Sequence, residues 1–249
     1  MNAAPFANEA SVGNLSGKNI IVTGGTTGIG RATARVLAAA GARVLICGRH
    51  EKEMSDAMAD MPGDVRSVIT DLSTFAGVRV LFERADKEFG NIDVLVNNAA
   101  LPIEGTAEND PEKIEYVIRS NLLNYVQCTR QALERMMARK AGHIVFIGSM
   151  SADVRAEGES TYAATKGGIQ AFAESLRKEV NKEGIRISLI QPGSVGTDMQ
   201  KDKESHAEQA RELKMLKAED IASCVQYCLI QPLRCDIITM DVRPHLQFI

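Results

Sequence analysis

The sequence predicts an α/β architecture, a doubly wound three-layer sandwich built on a mostly parallel seven-stranded sheet. Three observations carry that expectation: seven short β-branched runs alternate with longer segments of helical period, the runs are nearly continuous in apolar character, and a glycine-rich turn joins the first run to the first helix. A strand that is apolar on both faces is covered on both faces, as in a parallel sheet flanked by helices. The alternation of the two periods specifies crossover units rather than hairpins.

The runs are NIIVT from Asn19, RVLIC from Arg43, RSVIT from Arg66, DVLVN from Asp93, HIVFIGS from His143, RISLIQ from Arg186 and DIITMDV from Asp236. Helices are expected over residues 28–39, 50–58, 74–89, 111–140, 160–183 and 218–230. Pro111 behind Asp110 suits a first helical position, and Gly184 suits a helix stop. No Pro/Ser-rich linker, low-complexity tract or repeat interrupts the alternation, so one domain is expected over residues 17–249, behind a flexible tail over residues 1–16.

Composition narrows the function. The chain has 249 residues with a net charge of -3, its Lys and Arg scattered among Asp and Glu, so no field would recruit nucleic acid or an anionic membrane. No apolar segment approaches the ~20 residues that span a bilayer. The five cysteines, Cys47, Cys128, Cys224, Cys228 and Cys235, form no C-x-x-C pair and no disulfide framework, and no metal site is expected. The first residues lack the charged start and apolar run of a secretory signal, which points to a reducing, cytoplasmic location.

Thr23-Gly24-Gly25-Thr26-Thr27-Gly28-Ile29-Gly30 follows the first strand and opens the first helix. Gly24 permits a tight turn, Gly28 lets backbone N–H groups approach a pyrophosphate, and Gly30 lets helix and strand pack closely, with the helix dipole favouring the anion. Alone, such a loop would also suit an ordinary strand-to-helix turn. It lacks the Lys-Ser/Thr ending of a triphosphate-binding loop, which excludes that chemistry. The second strand ends at Cys47-Gly48-Arg49, where a site gripping both ribose hydroxyls of NAD would place Asp or Glu. A guanidinium there can pair with the 2′-phosphate of NADP, so Arg49 favours NADP(H) over NAD(H).

Tyr162 and Lys166 stand four residues apart, on one face of the helix expected to begin near Ser160. A free phenol titrates near pH ~10, and a neighbouring cation stabilises its phenolate. Taken alone, the pair would also suit a packed Tyr beside a snorkelling Lys. Ser149, at the carboxyl end of the fifth strand, lies where open α/β sheets build binding sites. Asn121 is a poor helix former flanked by apolar residues, which suits a buried polar role. Asn97-Asn98-Ala99-Ala100 closes the fourth strand with small residues and short amides. Leu101, Pro102, Met150, Ser151, Asp153, Glu157, Glu159, Ser194 and Met199 are candidates to line a substrate pocket.

With these residues assembled, the chain resembles the short-chain dehydrogenase/reductase family, in its short single-domain branch, from about Gly17 to Val242. The family's T-G-x-x-x-G-x-G stands at Thr23 to Gly30, its adenine-contacting pair at Asp71-Leu72, its N-N-A-G at Asn97 to Ala100, and its P-G motif at Pro192-Gly193. Its Asn, Ser, Tyr and Lys tetrad falls on Asn121, Ser149, Tyr162 and Lys166. The resemblance implies a Rossmann-like fold and an oxidoreductase that interconverts a carbonyl and an alcohol. Tyr162 is then the general acid/base, Ser149 orients the substrate oxygen, Lys166 binds ribose and lowers the Tyr162 pKa, and Asn121 holds a water in a proton relay. Gly24, Thr26, Thr27, Gly28, Ile29, Gly30, Arg49, Asp71, Leu72, Asn98, Ala99, Pro192, Gly193, Val195 and Thr197 would contact the cofactor, together with Tyr162 and Lys166. It also implies a homodimer or homotetramer, paired through residues 114–137 and 162–180. A non-catalytic nucleotide-binding regulator on the same fold would be expected to lose Tyr or Lys, and this chain keeps both. Two departures stand out. Ala100 replaces the last glycine of N-N-A-G, and only about twenty residues, rich in Lys, Glu and Gln, separate Thr197 from Lys217, where relatives build a substrate lid.

Overall fold

The computed structural model describes residues 13–197 and 203–247. Its main sheet contains β1 (Asn19–Thr23), β2 (Arg43–Gly48), β3 (Asp64–Ile69), β4 (Val94–Asn97), β5 (Gly142–Ile147), β6 (Ile185–Pro192) and β9 (Thr239–Val242). The spatial order is β3-β2-β1-β4-β5-β6-β9, and every neighbouring pair is parallel. A two-residue pairing of β7 (Val195–Gly196) with β8 (Leu216–Lys217) forms a second, minor sheet.

Two cores explain why the strands read as continuously apolar. Ile21, Leu45, Leu95, Ile144 and Phe146 point to one face. There they meet α3 (Phe75–Phe89), α5 (Asn124–Met137) and α7 (Ser160–Val180) through residues such as Phe82, Tyr125 and Ile169. Ile20, Val22, Val44, Ile46, Val96 and Val145 point to the other face. They pack on α1 (Gly28–Ala39), α2 (Glu51–Met58) and α9 (Ala218–Leu229) through Leu37, Met54 and Val225. Each large aliphatic side chain so buried is worth about 1.5–3 kcal/mol. The alternation along β1 therefore drives both layers, and the doubly wound Rossmann-like sandwich follows.

Strand order reverses between β1 and β4, whose carboxyl ends diverge to open a crevice. The helix expected over 111–140 is not continuous. It is α4 (Pro111–Ile118), a π-helical turn (Arg119–Leu123) and then α5. A π-turn carries one extra residue and is common where a helix serves a site; this one contains Asn121. α7 ends at Val180, followed by a 3₁₀ turn (Asn181–Glu183) and Gly184 in the left-handed conformation. The third and last strands are shifted from expectation, beginning at Asp64 and Thr239. Two short helices, α6 (Ser151–Val154) and α8 (Lys203–Arg211), add cover over the carboxyl edge.

Candidate functional site

One cleft of about 1130 Å³ runs along that carboxyl edge. At one end it is built from backbone. Gly24 has φ +65°, and a Cβ there would lie 2.9 Å from the Ala99 Cα, so the turn needs glycine and brings β1 and β4 loops together. A Cβ at Gly30 would lie 2.1 Å from the Gly24 carbonyl, which no side chain tolerates. Thr23 staples the two loops: its hydroxyl accepts the N–H of Asn98 at 2.9 Å and of Ala99 at 3.0 Å. The Asn98 amide donates to the Thr23 and Gly24 carbonyls at 2.9 and 3.2 Å. Asn98 thus builds the loop and also lines the cleft.

The opening turn of α1 is suited to an anion. Thr27 at its N-cap makes no side-chain cap, and no acidic residue stands in the first turn. By contrast, Thr74 caps α3 by accepting the Gly77 N–H at 3.0 Å. The first N–H groups of α1 therefore face the cleft with the positive end of the helix dipole, uncapped by the Thr27 side chain. This, with the glycine cradle, fits the residues to a dinucleotide pyrophosphate. Thr26, Thr27, Gly28 and Ile29 line the same wall, and a Cβ at Gly28 would come 3.2 Å from Thr197 across the cleft.

Beyond that loop lies Arg49, an exposed residue at the end of β2. Arg31 nearby is already paired with Asp60 at 2.8 Å. Arg49 makes no ion pair among the described residues; its Nη1 donates to the Tyr116 hydroxyl, and its guanidinium lies 5.6 Å from the centre of that ring. Tyr116 donates in turn to Asp71 Oδ2 at 3.0 Å, and Asp71 Oδ1 accepts the Ser73 N–H at 2.9 Å. Burial pushes the Asp71 carboxyl up, but the Ser73 and Tyr116 donors and the charge of Arg49 outweigh it, leaving the pKa below the usual value. Leu72 lines the cleft beside it.

The other end is built from side chains. Tyr162 and Lys166 share one face of α7, as their spacing predicts. The Lys166 Nζ donates to the Ile147 carbonyl at 3.0 Å and lies 5.7 Å from both the Tyr162 and Tyr125 ring centres. The Tyr125 hydroxyl donates to the same carbonyl at 3.1 Å. Lys166 is 2% exposed, and burial pushes its ammonium down to about 7. Burial likewise raises the Tyr162 phenol above its usual value, opposed by a hydrogen bond from Ser149 and assisted by the Glu159 carboxylate. The Ser149 oxygen accepts the Ser151 N–H at 3.1 Å, which leaves its own proton for Tyr162. Burial thus dominates the phenol, in place of the lowering by Lys166 expected from the sequence.

Asn121 is fully buried behind this wall. Its amide accepts the Leu101 N–H at 2.7 Å and donates to the Leu101 carbonyl at 2.8 Å, with Thr165 at 3.5 Å. The side chain therefore fixes the loop after β4 against α7. Pro192, Gly193, Val195 and Thr197 lie on the opposite wall.

Leu101, Pro102, Met150, Ser151, Glu159 and Ser194 line the cleft as expected, whereas Asp153 and Glu157 do not. Asp153 instead accepts from the Gln170 and Gln191 amides, at 3.1 and 3.3 Å. Met199 lies outside the described residues. Sequence reasoning missed Tyr116, Tyr125, Glu104 and Gln247. Gln247 reaches the cleft from the C-terminal segment, where its Oε1 accepts the Ser194 N–H at 3.0 Å. Only Tyr125 left a signal, a polar tip four residues after Asn121 on a helix face otherwise turned to the core. Among the described residues no group of three or more His, Cys, Asp or Glu could hold a metal ion, and no helix is long and apolar enough to cross a membrane.

Comparison with known proteins places this geometry. Residues 18–208 match the short chain dehydrogenase family model. An uncharacterized oxidoreductase of Staphylococcus saprophyticus is 31% identical over 235 residues, covering 92% of this chain and 98% of the relative. One of Staphylococcus epidermidis is 28% identical over 228 residues, covering 91% and 97%. Among solved structures, a closed form of serine dehydrogenase complexed with NADP+ superposes with TM-score 0.83 at 27% identity, over 92% of this chain and 96% of that one. A metagenomic short-chain oxidoreductase in complex with NADP superposes with TM-score 0.81 at 27% identity, over 94% and 100%. The family match spans the glycine loop, both walls of the cleft and the Tyr162 helix, so the chain belongs to the short-chain dehydrogenases and is an oxidoreductase of that family.

Proposed function

We propose that this chain is an NADP(H)-dependent carbonyl reductase, in which Tyr162 is the general acid/base. The observation that supports it most is the grouping of Tyr162, Ser149 and Lys166 on one wall of a cleft whose far end offers the α1 N-terminus and an unpaired Arg49. A bound nicotinamide dinucleotide supplies the hydride. Gly24, Thr26 to Gly30, Asn98 and Ala99 would hold its pyrophosphate and first ribose, Asp71 and Leu72 the adenine, Arg49 a 2′-phosphate, and Lys166 the second ribose. Pro192, Gly193, Val195 and Thr197 would hold the nicotinamide against the opposite wall.

The chain's own residues then handle the proton. Ser149 positions the substrate oxygen beside the Tyr162 hydroxyl, and Tyr162 gives up its proton as negative charge develops on that oxygen. Because burial raises the Tyr162 pKa, the phenol is protonated at neutral pH, which suits donation and hence reduction. Oxidation of an alcohol needs the phenolate, which the Ser149 hydrogen bond and a charged Lys166 would favour. The Asn121 clamp on Leu101 keeps the loop after β4 dry and fixed against α7.

The test is consumption of NADPH and of NADH against a panel of aldehydes and ketones, with Tyr162→Phe in parallel. Turnover with NADPH that disappears in Tyr162→Phe supports the reading. A preference for NADH removes the role of Arg49, and turnover that survives Tyr162→Phe removes the assigned acid. We also read the shallow apolar groove lined by Ile114, Ile118, Leu122, Leu123 and Val126, within the segment implied by the family resemblance, as the face on which copies of this chain pair. Light scattering at micromolar concentration that reports a single 27.0 kDa chain would exclude it.

A further inference from the structure

Arg49 and Asp71 face each other across the adenosine end of the cleft, joined by one residue from a distant helix. The strands beneath them are fixed: the Thr70 N–H donates to the Gly48 carbonyl at 2.9 Å, so the ends of β2 and β3 are tied one residue before Arg49 and Asp71. Asp71 is held further by Ser73, and its main-chain carbonyl accepts the Thr74 hydroxyl at 3.1 Å. Arg49 has no such anchor of its own. It is exposed, makes no ion pair among the described residues, and rests on the Tyr116 ring and hydroxyl.

From this chain of contacts we propose that Tyr116 is the positioning residue that holds Arg49 for the 2′-phosphate of the cofactor, and so sets the preference for phosphorylated adenosine. The inference rests on the reading of Arg49 given above and adds the residue that makes that arginine effective. A free arginine side chain loses rotamer freedom when a ligand orders it. One whose Nη1 is already bonded to the Tyr116 hydroxyl loses less, which is the gain of preorganisation. Nη1 on Tyr116 leaves Nε and Nη2 for a bidentate grip on phosphate. The tyrosine hydroxyl is held by the Asp71 carboxylate, so it accepts from the guanidinium with its single proton already directed away. Tyr116 also lies five residues before Asn121 on the same helical stretch, so a single segment supports both ends of the cleft.

Adenosine 2′,5′-bisphosphate and adenosine 5′-monophosphate, which differ in the 2′-phosphate and lack nicotinamide, separate this from catalysis. Both are titrated calorimetrically into the parent chain, Tyr116→Phe and Arg49→Ala. Loss of the preorganisation of one long side chain predicts that Tyr116→Phe binds the bisphosphate about five- to tenfold more weakly, with the monophosphate within about twofold. Unchanged or tighter binding of the bisphosphate in Tyr116→Phe, with Arg49→Ala weakened, overturns the role of Tyr116 alone. Equal weakening of both probes in Tyr116→Phe also overturns it, since Tyr116 would then pack the adenine only. Unchanged bisphosphate binding in Arg49→Ala overturns the cofactor reading itself, and this inference with it.

Discussion

Lys166 and Arg49 stand at the two ends of the cleft, and they are treated in opposite ways. Lys166 is 2% exposed, anchored on a backbone carbonyl, and pushed down to about 7 by burial. Arg49 is exposed and held only by an aromatic neighbour. The difference teaches what each position demands. An ammonium whose charge state can change near neutrality must be buried, because only desolvation moves a lysine that far. A guanidinium that answers a phosphate must keep its charge and remain reachable, so it is left in water and merely steered.

Breaking the catalytic end is expected to have the largest effect. Tyr162→Phe removes the proton donor while keeping the ring beside Lys166, and kcat for carbonyl reduction should fall by about 10³-fold, within the range for general acid catalysis. Affinity for NADPH, measured by fluorescence titration, should change by no more than about threefold.

Next comes the cost of burying Lys166. Its folded-state pKa is depressed, about 7 against 10.5, so between those values the unfolded chain binds more protons and stability rises with pH. As pH falls from 10.5 through 7 that stability is lost, amounting to roughly 4–5 kcal/mol. Lys166→Met should therefore be more stable than the parent at pH 6, with the gap closing toward pH 10, in urea unfolding across that range. A gap that does not depend on pH would show that Lys166 is not desolvated as described.

A smaller loss is expected behind the wall. Asn121→Ala leaves the part-buried Leu101 N–H and carbonyl without their partner, which costs about 1–2 kcal/mol by denaturant unfolding. Replacement by Asp should keep the accepted bond from Leu101 and recover only part of that stability. At the exposed end the effect is the smallest: Arg49→Ala should weaken NADPH binding about tenfold and leave NADH nearly unchanged.

The same contrast explains what could be read in advance. Strands and helices were legible because two-faced burial writes itself into β1 as alternating residues of two cores, Ile20 and Val22 against Ile21. The tetrad was legible because a family pattern carries it residue by residue, and the structure brings Ser149, Tyr162 and Lys166 to one wall. The π-turn was not, since Arg119–Leu123 has the composition of ordinary helix and its extra residue has no local signature. Tyr116 stands 67 residues from Arg49, and no periodicity announces such a contact. Gln247 was missed for the same reason, meeting Ser194 across 53 residues. Asp153 and Glu157 were placed in the pocket by their position after Ser149, but the short α6 turns that segment outward and gives Asp153 to Gln170 and Gln191.

The proposed reaction transfers a hydride to a carbonyl carbon while Tyr162 protonates its oxygen. Its most direct test is label transfer from NADPH carrying deuterium at both nicotinamide C4 positions, incubated with the carbonyl panel, followed by mass analysis of the alcohol formed. The account predicts one deuterium on the carbinol carbon with the parent chain and almost no labelled alcohol with Tyr162→Phe. Alcohol formed without the label, or labelled equally well by Tyr162→Phe, would contradict it.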